Sequence, residues 1–281
     1  MILPLIKLAL HLSPEWPFLP NSPSGVVAQF SARESDSPGD IGLVDIQGWN
    51  GTEWPAYMDH RQNSSLFIEL GGDPDGWTAA HVHKDAGFGG IGHHGVKGLV
   101  PSRSEIYMAY NVQFEEVDYG TSIWQWTNND NTTMGGDPSP ASLVFRTDAD
   151  GHENHTLHLE AQPDPTYLLE KSSVWSQELE MGRNYSFGIV VNTHETEGFI
   201  QLYLDGNLTT LTDPFTGNRT QQLAGNFWPG PISSSDPKFG LWGGDNVNCD
   251  SYIYDVVIAT RFDKMAEIAR INDADGTVVL P

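Results

Sequence analysis

Polar and apolar residues alternate strictly along most of the chain between about residues 65 and 260. Clear examples are EIYMAYNVQFEEV at 105–117, GFIQLYLDG at 198–206 and SYIYDVVIAT at 251–260. Such alternation predicts β-strands that turn one face to a core and the other to solvent. Helical spacing is clear only over 264–271, so the helix–strand alternation of a parallel α/β fold is missing. We therefore predict an all-β protein with one short C-terminal helix.

Turn-forming clusters separate the predicted strands, as in GGDPDG at 71–76 and GGDP at 135–138. Ten or more antiparallel strands within 281 residues are typical of a single two-sheet sandwich or β-jelly roll. Residues 41–281 are expected to form this one domain. Residues 1–40 are expected to be an N-terminal arm plus first strands, and the apolar start ILPLIKLAL resembles a poor signal sequence.

Asparagine sequons indicate where the chain is made. The sequence contains seven Asn-x-Ser/Thr sequons, at Asn50, Asn63, Asn131, Asn154, Asn184, Asn207 and Asn218. Chance predicts roughly two in a chain of this composition. The excess favours an N-glycosylated protein secreted by a eukaryotic cell, so we expect an extracellular location. The one cysteine, Cys249, excludes an intrachain disulfide.

The formal net charge of −23 argues against binding to nucleic acids or anionic membranes. Residues 60–103 differ from the rest, because four Lys/Arg there balance four acids. The same window holds five of the ten histidines: His60, His81, His83, His93 and His94. At mildly acidic pH we expect it to be the one cationic region, which suits an anionic ligand.

Strand periodicity also sorts polar side chains onto faces. One face of the segment that begins near residue 103 holds Arg103, Glu105, Tyr107, Asn111 and Gln113. Other polar faces hold His81 with His83, Gln125 with Thr127, and Lys238 with Trp242. We predict that these faces line one concave groove suited to sugars and carboxylates. The alternative is that each face simply meets solvent.

Five short segments occur in an order known from one enzyme family. They are RSEI at 103–106, IWQW at 123–126, GFIQLYLDG at 198–206, KFGLWG at 238–243 and YIYDVV at 252–257. Over about residues 100–260 the chain resembles the jelly-roll polysaccharide lyases, namely alginate lyases, heparin lyase I and fungal glucuronan lyases. Two positions depart from the family pattern: Thr127 stands at its histidine and Trp242 at its tyrosine. The resemblance implies a concanavalin-like sandwich.

The resemblance implies β-elimination on a uronate-containing, glucuronan-like polysaccharide. The chemistry requires a group that neutralises the substrate carboxylate, for which Arg103 and Gln125 are candidates. His83 or His81 is the candidate base and Tyr107 a candidate proton donor. Further substrate contacts are expected at Glu105, Thr127, Lys238, Trp242, Tyr203 and Tyr254. No cofactor is required by this chemistry, and we expect a monomer.

Other functions stay open at this stage. A glycoside hydrolase acting on β-glucan needs two carboxyl groups, for which Glu105 with Glu115 or Glu116 are candidates. A non-catalytic lectin needs only the groove and its aromatic residues. A metal of unknown identity could bind His81 and His83 together with His93 and His94. A structural calcium is possible at the acidic loop 148–153 or elsewhere, as the resemblance implies.

Overall fold

A computed structural model describes residues 25–36, 66–87, 90–91, 100–101, 103–128, 139–146, 155–162, 171–225, 227, 234–244 and 246–271. Several predicted features therefore lie outside the described residues. They are the histidines at 60, 93 and 94, the acidic loop 148–153, the sequons at 50, 63, 131 and 154, and most of the N-terminal arm. Within the described part, no helix is long and apolar enough to cross a membrane.

The described strands confirm the predicted all-β class. The first ten are β1 (Val26–Ser31), β2 (Leu66–Gly72), β3 (Thr78–Lys84), β4 (Gly90–Ile91), β5 (Val100–Pro101), β6 (Glu105–Glu116), β7 (Ser122–Asn128), β8 (Ala141–Arg146), β9 (Thr156–Ala161) and β10 (Ser172–Glu178). The remaining strands are β11 (Asn184–Asn192), β12 (Phe199–Leu204), β13 (Asn207–Leu208), β14 (Leu211–Thr212), β15 (Arg219–Thr220), β16 (Leu223–Ala224), β17 (Ser234–Trp242) and β18 (Cys249–Ala259). One short 3-10 helix (Ala32–Glu34) and one α-helix, α1 (Phe262–Ile268), complete the described elements.

Two large antiparallel sheets form a sandwich, as predicted for a jelly roll. Sheet I has the strand order β13-β12-β11-β6-β18-β3-β2, with β1 paired to β18 and β16 to β12. Sheet II has the order β10-β9-β8-β7-β17-β4, with β5 paired to β17. Strands β14 and β15 form a separate hairpin. The described part of the N-terminal segment thus contributes β1 to sheet I.

The core lies between the inner faces of the two sheets. Alternate residues of β6, including Met108 and Tyr110, are fully buried there, and so are Trp124 and Trp126 of β7. The ring of Tyr110 contacts Phe239 of β17 edge-on, with centroids 5.2 Å apart, and so joins sheet I to sheet II. Burying one such large side chain contributes roughly 1.5–3 kcal/mol. Most of the polar residues on these strands therefore point outward.

Helix α1 covers one end of the outer face of sheet I. Its Phe262 and Met265 pack with Ala109 of β6 and Val257 of β18 in a second buried cluster. Gly188 on β11 permits the close approach, because a Cβ there would lie 2.9 Å from the Cβ of Ala269. The α1 end of this face is thus apolar and closed. The opposite end of the same face carries polar residues.

Candidate functional site

Four residues predicted for the groove lie on sheet II. Gln125 on β7 pairs directly with Lys238 on β17. Core-facing tryptophans flank Gln125 on both sides, so its side chain points outward from sheet II. Thr127 is buried and lies 3.0 Å from the hydroxyl of Ser139, whereas Trp242 is 44% exposed. None of the other residues predicted for the groove lies on sheet II.

A second group of predicted residues lies at the α1 end of sheet I. Arg103 precedes β6 and forms an ion pair with Glu195 (2.6 Å) in the turn before β12. The hydroxyl of Tyr107 donates a hydrogen bond to Glu105. Burial and that bond raise the pKa of Tyr107 well above its ordinary value. Tyr203 is nearly buried on β12 in the cluster beneath α1.

The prediction that Arg103, Tyr107, Gln125 and Lys238 line one groove is therefore wrong. Strands β6 and β7 follow each other in the chain but belong to different sheets. The outer faces of the two sheets point away from each other, because their inner faces enclose a common core. Gln125 and Tyr107 thus lie on opposite sides of the sandwich.

At the end of sheet I opposite α1, four strands place polar side chains in one row. The register pairs Asn184 with Gln113, Gln113 with Tyr252, and Tyr252 with His81. The core-facing neighbours of each show that all four point outward. Paired strands lie about 4.8 Å apart, so the row spans about 14 Å. We call Asn184, Gln113, Tyr252 and His81 the polar row.

Both predicted catalytic histidines belong to this end of the sheet and share one carboxylate. Oδ1 of Asp250 lies 2.7 Å from Nε2 of His81 and 2.8 Å from Nδ1 of His83. Nε2 of His83 lies 2.9 Å from Asp85. A neutral imidazole has only one N–H, so the two carboxylate contacts of His83 fit its protonated form. In the neutral form, His81 donates from Nε2 to Asp250 and keeps its lone pair on Nδ1.

The charges of this cluster follow from these contacts. Burial acts to lower the pKa of His83, but the hydrogen bonds to Asp250 and Asp85 outweigh it and leave the pKa raised. Burial acts to raise the pKa of Asp250, but the bonds from both imidazoles outweigh it and leave the pKa lowered. Asp250 is thus an anion that orients His81 and balances much of the charge on His83.

Tyr252 places a phenol beside these imidazoles. Its ring stacks on His81 with centroids 4.5 Å apart and an interplanar angle of 17°. Burial, and then the negative charges of Asp250, Glu115 and Asp73, raise the pKa of Tyr252. The phenol therefore stays protonated at neutral pH, and this makes it a proton donor rather than a base.

A buried hydrogen-bond chain fixes the amide of Gln113. The hydroxyl of Tyr254 contacts both Asp73 and, at 2.7 Å, Oε1 of Gln113. Nε2 of Gln113 donates to Glu115 at 2.6 Å. Tyr254 is only 4% exposed. The sequence predicted a substrate contact at Tyr254, and the structure instead gives it a direct role in holding Gln113.

Sequence reasoning did not select Asp250, Tyr252 or Asn184. Asp250 and Tyr252 alternate with core residues at the start of β18, so their outward direction is visible in the sequence. Their proximity to His81 is not, because 169 residues separate Asp250 from His81 along the chain. Gln113 was assigned to the correct face but was not selected as a site residue.

A shallow cleft of about 500 Å³ lies elsewhere, beside the edge strand β10. Its lining includes Trp175, Gln177, Thr210 and Arg219. The lining contains no histidine, carboxylate or tyrosine. It has hydrogen-bonding groups but none that exchanges a proton near neutral pH. The polar row is therefore the better candidate for catalysis.

Stability should report the protonation of His83. Because the pKa of His83 is raised in the folded state, its whole contribution to stability is present below its unfolded pKa of about 6.5. This contribution is lost as pH rises through the folded pKa. We expect His83→Gln to lower the free energy of unfolding by about 1–3 kcal/mol at pH near 5.5. The difference from wild type should shrink toward pH 8.5.

The measurement is urea unfolding of both proteins across this pH range in the presence of a chelator. His158 on β9 provides a control of opposite sign, because burial lowers its pKa. His158 therefore destabilises the fold in acid, and His158→Gln should gain stability relative to wild type as pH falls. A His83→Gln deficit that grows with pH would contradict the charged state assigned to His83.

No protein-family model matches the chain. No curated protein matches it either. Among solved structures, an alginate lyase from Pseudomonas aeruginosa is 12% identical, with a TM-score of 0.49 over 72% of this chain and 88% of that chain. The T. cruzi calreticulin globular domain is 9% identical, with a TM-score of 0.48 over 75% and 86%. Alginate lyase AlyC3 in complex with dimannuronate is 11% identical, with a TM-score of 0.48 over 70% and 77%.

Proposed function

We propose that this chain is a secreted polysaccharide lyase that cleaves a uronate-containing, glucuronan-like polysaccharide by β-elimination. The observation that carries the proposal is the polar row, which places amide, phenol and imidazole groups side by side on one outer face. These are the three group types that the reaction uses. The row crosses four strands, so it offers a linear polymer a succession of contacts.

The amides would hold the substrate. Gln113 is 3% exposed and donates one N–H to Glu115, so only its second N–H would be left for a substrate carboxylate, and only if that carboxylate packs directly against the row. Oδ1 of Asn184 is buried and has no hydrogen-bond partner among the described residues, so rotation of this half-buried side chain would let it accept a sugar hydroxyl. Holding the carboxylate stabilises the charge that develops when the adjacent proton leaves.

His81 and Tyr252 would transfer the protons. Nδ1 of His81 takes the proton from the carbon beside the carboxylate, while Asp250 at Nε2 stabilises the imidazolium that forms. The released electron pair forms a carbon–carbon double bond, and the bond to the glycosidic oxygen breaks. That oxygen receives the phenolic proton of Tyr252. Proton exchange with solvent then restores both residues.

The test is incubation of the full chain with polyglucuronate, alginate, heparin and a neutral β-glucan in parallel. A lyase produces the ultraviolet absorbance of an unsaturated uronate together with new reducing ends. We expect both signals with a polyuronate and neither with the neutral glucan. Reducing ends without absorbance would instead identify a hydrolase. Binding with neither signal would identify a lectin.

Secretion through a glycosylating pathway gives a further prediction. Asn207 and Asn218 are exposed, whereas Asn184 is half-buried in the polar row with the hydroxyl of Ser186 fully buried beside it. We expect glycans on Asn207 and Asn218 and none on Asn184 when the chain is expressed in a eukaryotic host. Glycopeptide mass spectrometry measures the occupancy of each site. A glycan on Asn184 would cover the row and exclude it as a substrate site.

A further inference from the structure

Three potential metal ligands converge on one point of the outer face of sheet I. Nε2 of His81, Nδ1 of His83 and Oδ1 of Asp250 all lie within 4.8 Å of one another. The backbone fixes their positions, because β3 and β18 pair Asp250 with His83 and Tyr252 with His81. The cluster therefore comes from two adjacent strands in fixed register rather than from a loop.

The groups behind these ligands independently resemble those of metal sites. Histidines that bind a metal usually donate their other ring N–H to a carboxylate, a backbone carbonyl or water, which fixes the tautomer and the ring orientation. Asp85 accepts such a bond from Nε2 of His83 at 2.9 Å. The stacked ring of Tyr252 restricts the plane of His81. Both imidazoles thus present the nitrogen that faces Asp250.

We propose that His81, His83 and Asp250 form a binding site for one divalent transition-metal ion of the zinc class. Two imidazole nitrogens with one carboxylate suit zinc, whereas calcium and magnesium prefer shells made of oxygen. Three protein ligands would leave a fourth position open, as in catalytic zinc sites. The side chains are 15–22% exposed, so solvent or another ligand can reach that position.

The metal would occupy the place of the hydrogen-bonded protons. With bonds of about 2.0–2.1 Å, tetrahedral ligands lie roughly 3.3 Å apart, somewhat wider than the present hydrogen bonds. Small side-chain rotations on a fixed backbone provide that difference. Zinc at Nε2 of His81 also places the proton on Nδ1, so metal binding and the proposed proton acceptance by His81 exclude each other. The metal site itself does not depend on the lyase proposal.

Calorimetric titration of the chelator-treated full chain with zinc alone, without polysaccharide, tests this inference. We expect one zinc per chain, and loss of that binding in Asp250→Asn and in the double variant His81→Gln/His83→Gln. Asp85→Asn keeps all three ligands and should weaken affinity roughly 10–100-fold. His158→Gln, on the other sheet, should bind as wild type does. Circular dichroism checks that each variant is folded.

Cobalt provides a second readout, because its visible absorption reports a tetrahedral site with nitrogen ligands. The inference is overturned if folded Asp250→Asn or the double variant binds zinc with wild-type stoichiometry and affinity. It is also overturned if wild type binds no zinc. Each of these outcomes leaves the lyase assay unaffected, so the two proposals can fail separately.

Discussion

Replacing His81 with glutamine is expected to lower the turnover of a polyuronate by about 10²–10⁴-fold, the range for removing a general base. The amide of glutamine still reaches Asp250 and fills similar space, so the fold and substrate binding should change little. The proton acceptor is lost, because an amide nitrogen has no available lone pair. Initial rates of unsaturated product formation across a range of substrate concentrations separate the loss in kcat from any change in KM.

A matched histidine control is available on the opposite side of the sandwich. His158 is partly buried and contacts Ser173 at 2.7 Å on the outer face of sheet II. His158→Gln should leave turnover at the wild-type level. If His81→Gln keeps full activity while Arg103→Ala loses it, the active site lies at the α1 end of sheet I. That result would reject the polar row.

The positions of the strands and the side to which each residue points could be predicted from the sequence, because both depend on local alternation. Alternation on β6 correctly placed Tyr110 in the core and Gln113 on the outer face. The same rule put His81 and His83 on one face, and the structure brings them to a single carboxylate. A spacing of two residues fixes such pairs whatever the strand later packs against.

The assignment of strands to sheets could not be read in this way. β6 and β7 are consecutive and similarly patterned, yet they lie in different sheets. Nothing local distinguishes a hairpin within one sheet from a connection that crosses the sandwich, since both leave the alternation unchanged. The predicted groove assumed a single sheet, so it joined Arg103 to Gln125 across the whole core.

Helix α1 is the other feature whose consequence was not predicted. The sequence indicates a helix over 264–271, and the structure has it at Phe262–Ile268. Its existence follows from local spacing, but its docking place depends on the outer face of β6, β11 and β18. This docking closes the end of the sheet that holds Tyr107 and Tyr203. Tyr252 lies at the open end, and alternation alone could not distinguish it from Tyr107, Tyr203 and Tyr254.

Replacing Tyr252 with phenylalanine is expected to lower turnover about 10²-fold or more, the range for removing a general acid. The ring remains, so its stacking on His81 and the position of the imidazole should be retained. Only the proton delivered to the leaving oxygen is lost. The same initial-rate assay measures the effect, and Tyr119→Phe, at a solvent-exposed tyrosine outside the row, is the control.

A substrate whose leaving group needs no proton distinguishes proton donation by Tyr252 from a purely structural role. A uronate oligomer with an aryl ether at its C4 oxygen, whose phenolate leaves C4 without protonation, should be eliminated by Tyr252→Phe at close to the wild-type rate. A merely structural defect would slow the natural and the aryl substrates equally, because it would displace His81 for both. Equal slowing would therefore remove Tyr252 from the reaction, whereas selective rescue by the aryl leaving group identifies its hydroxyl as the proton donor.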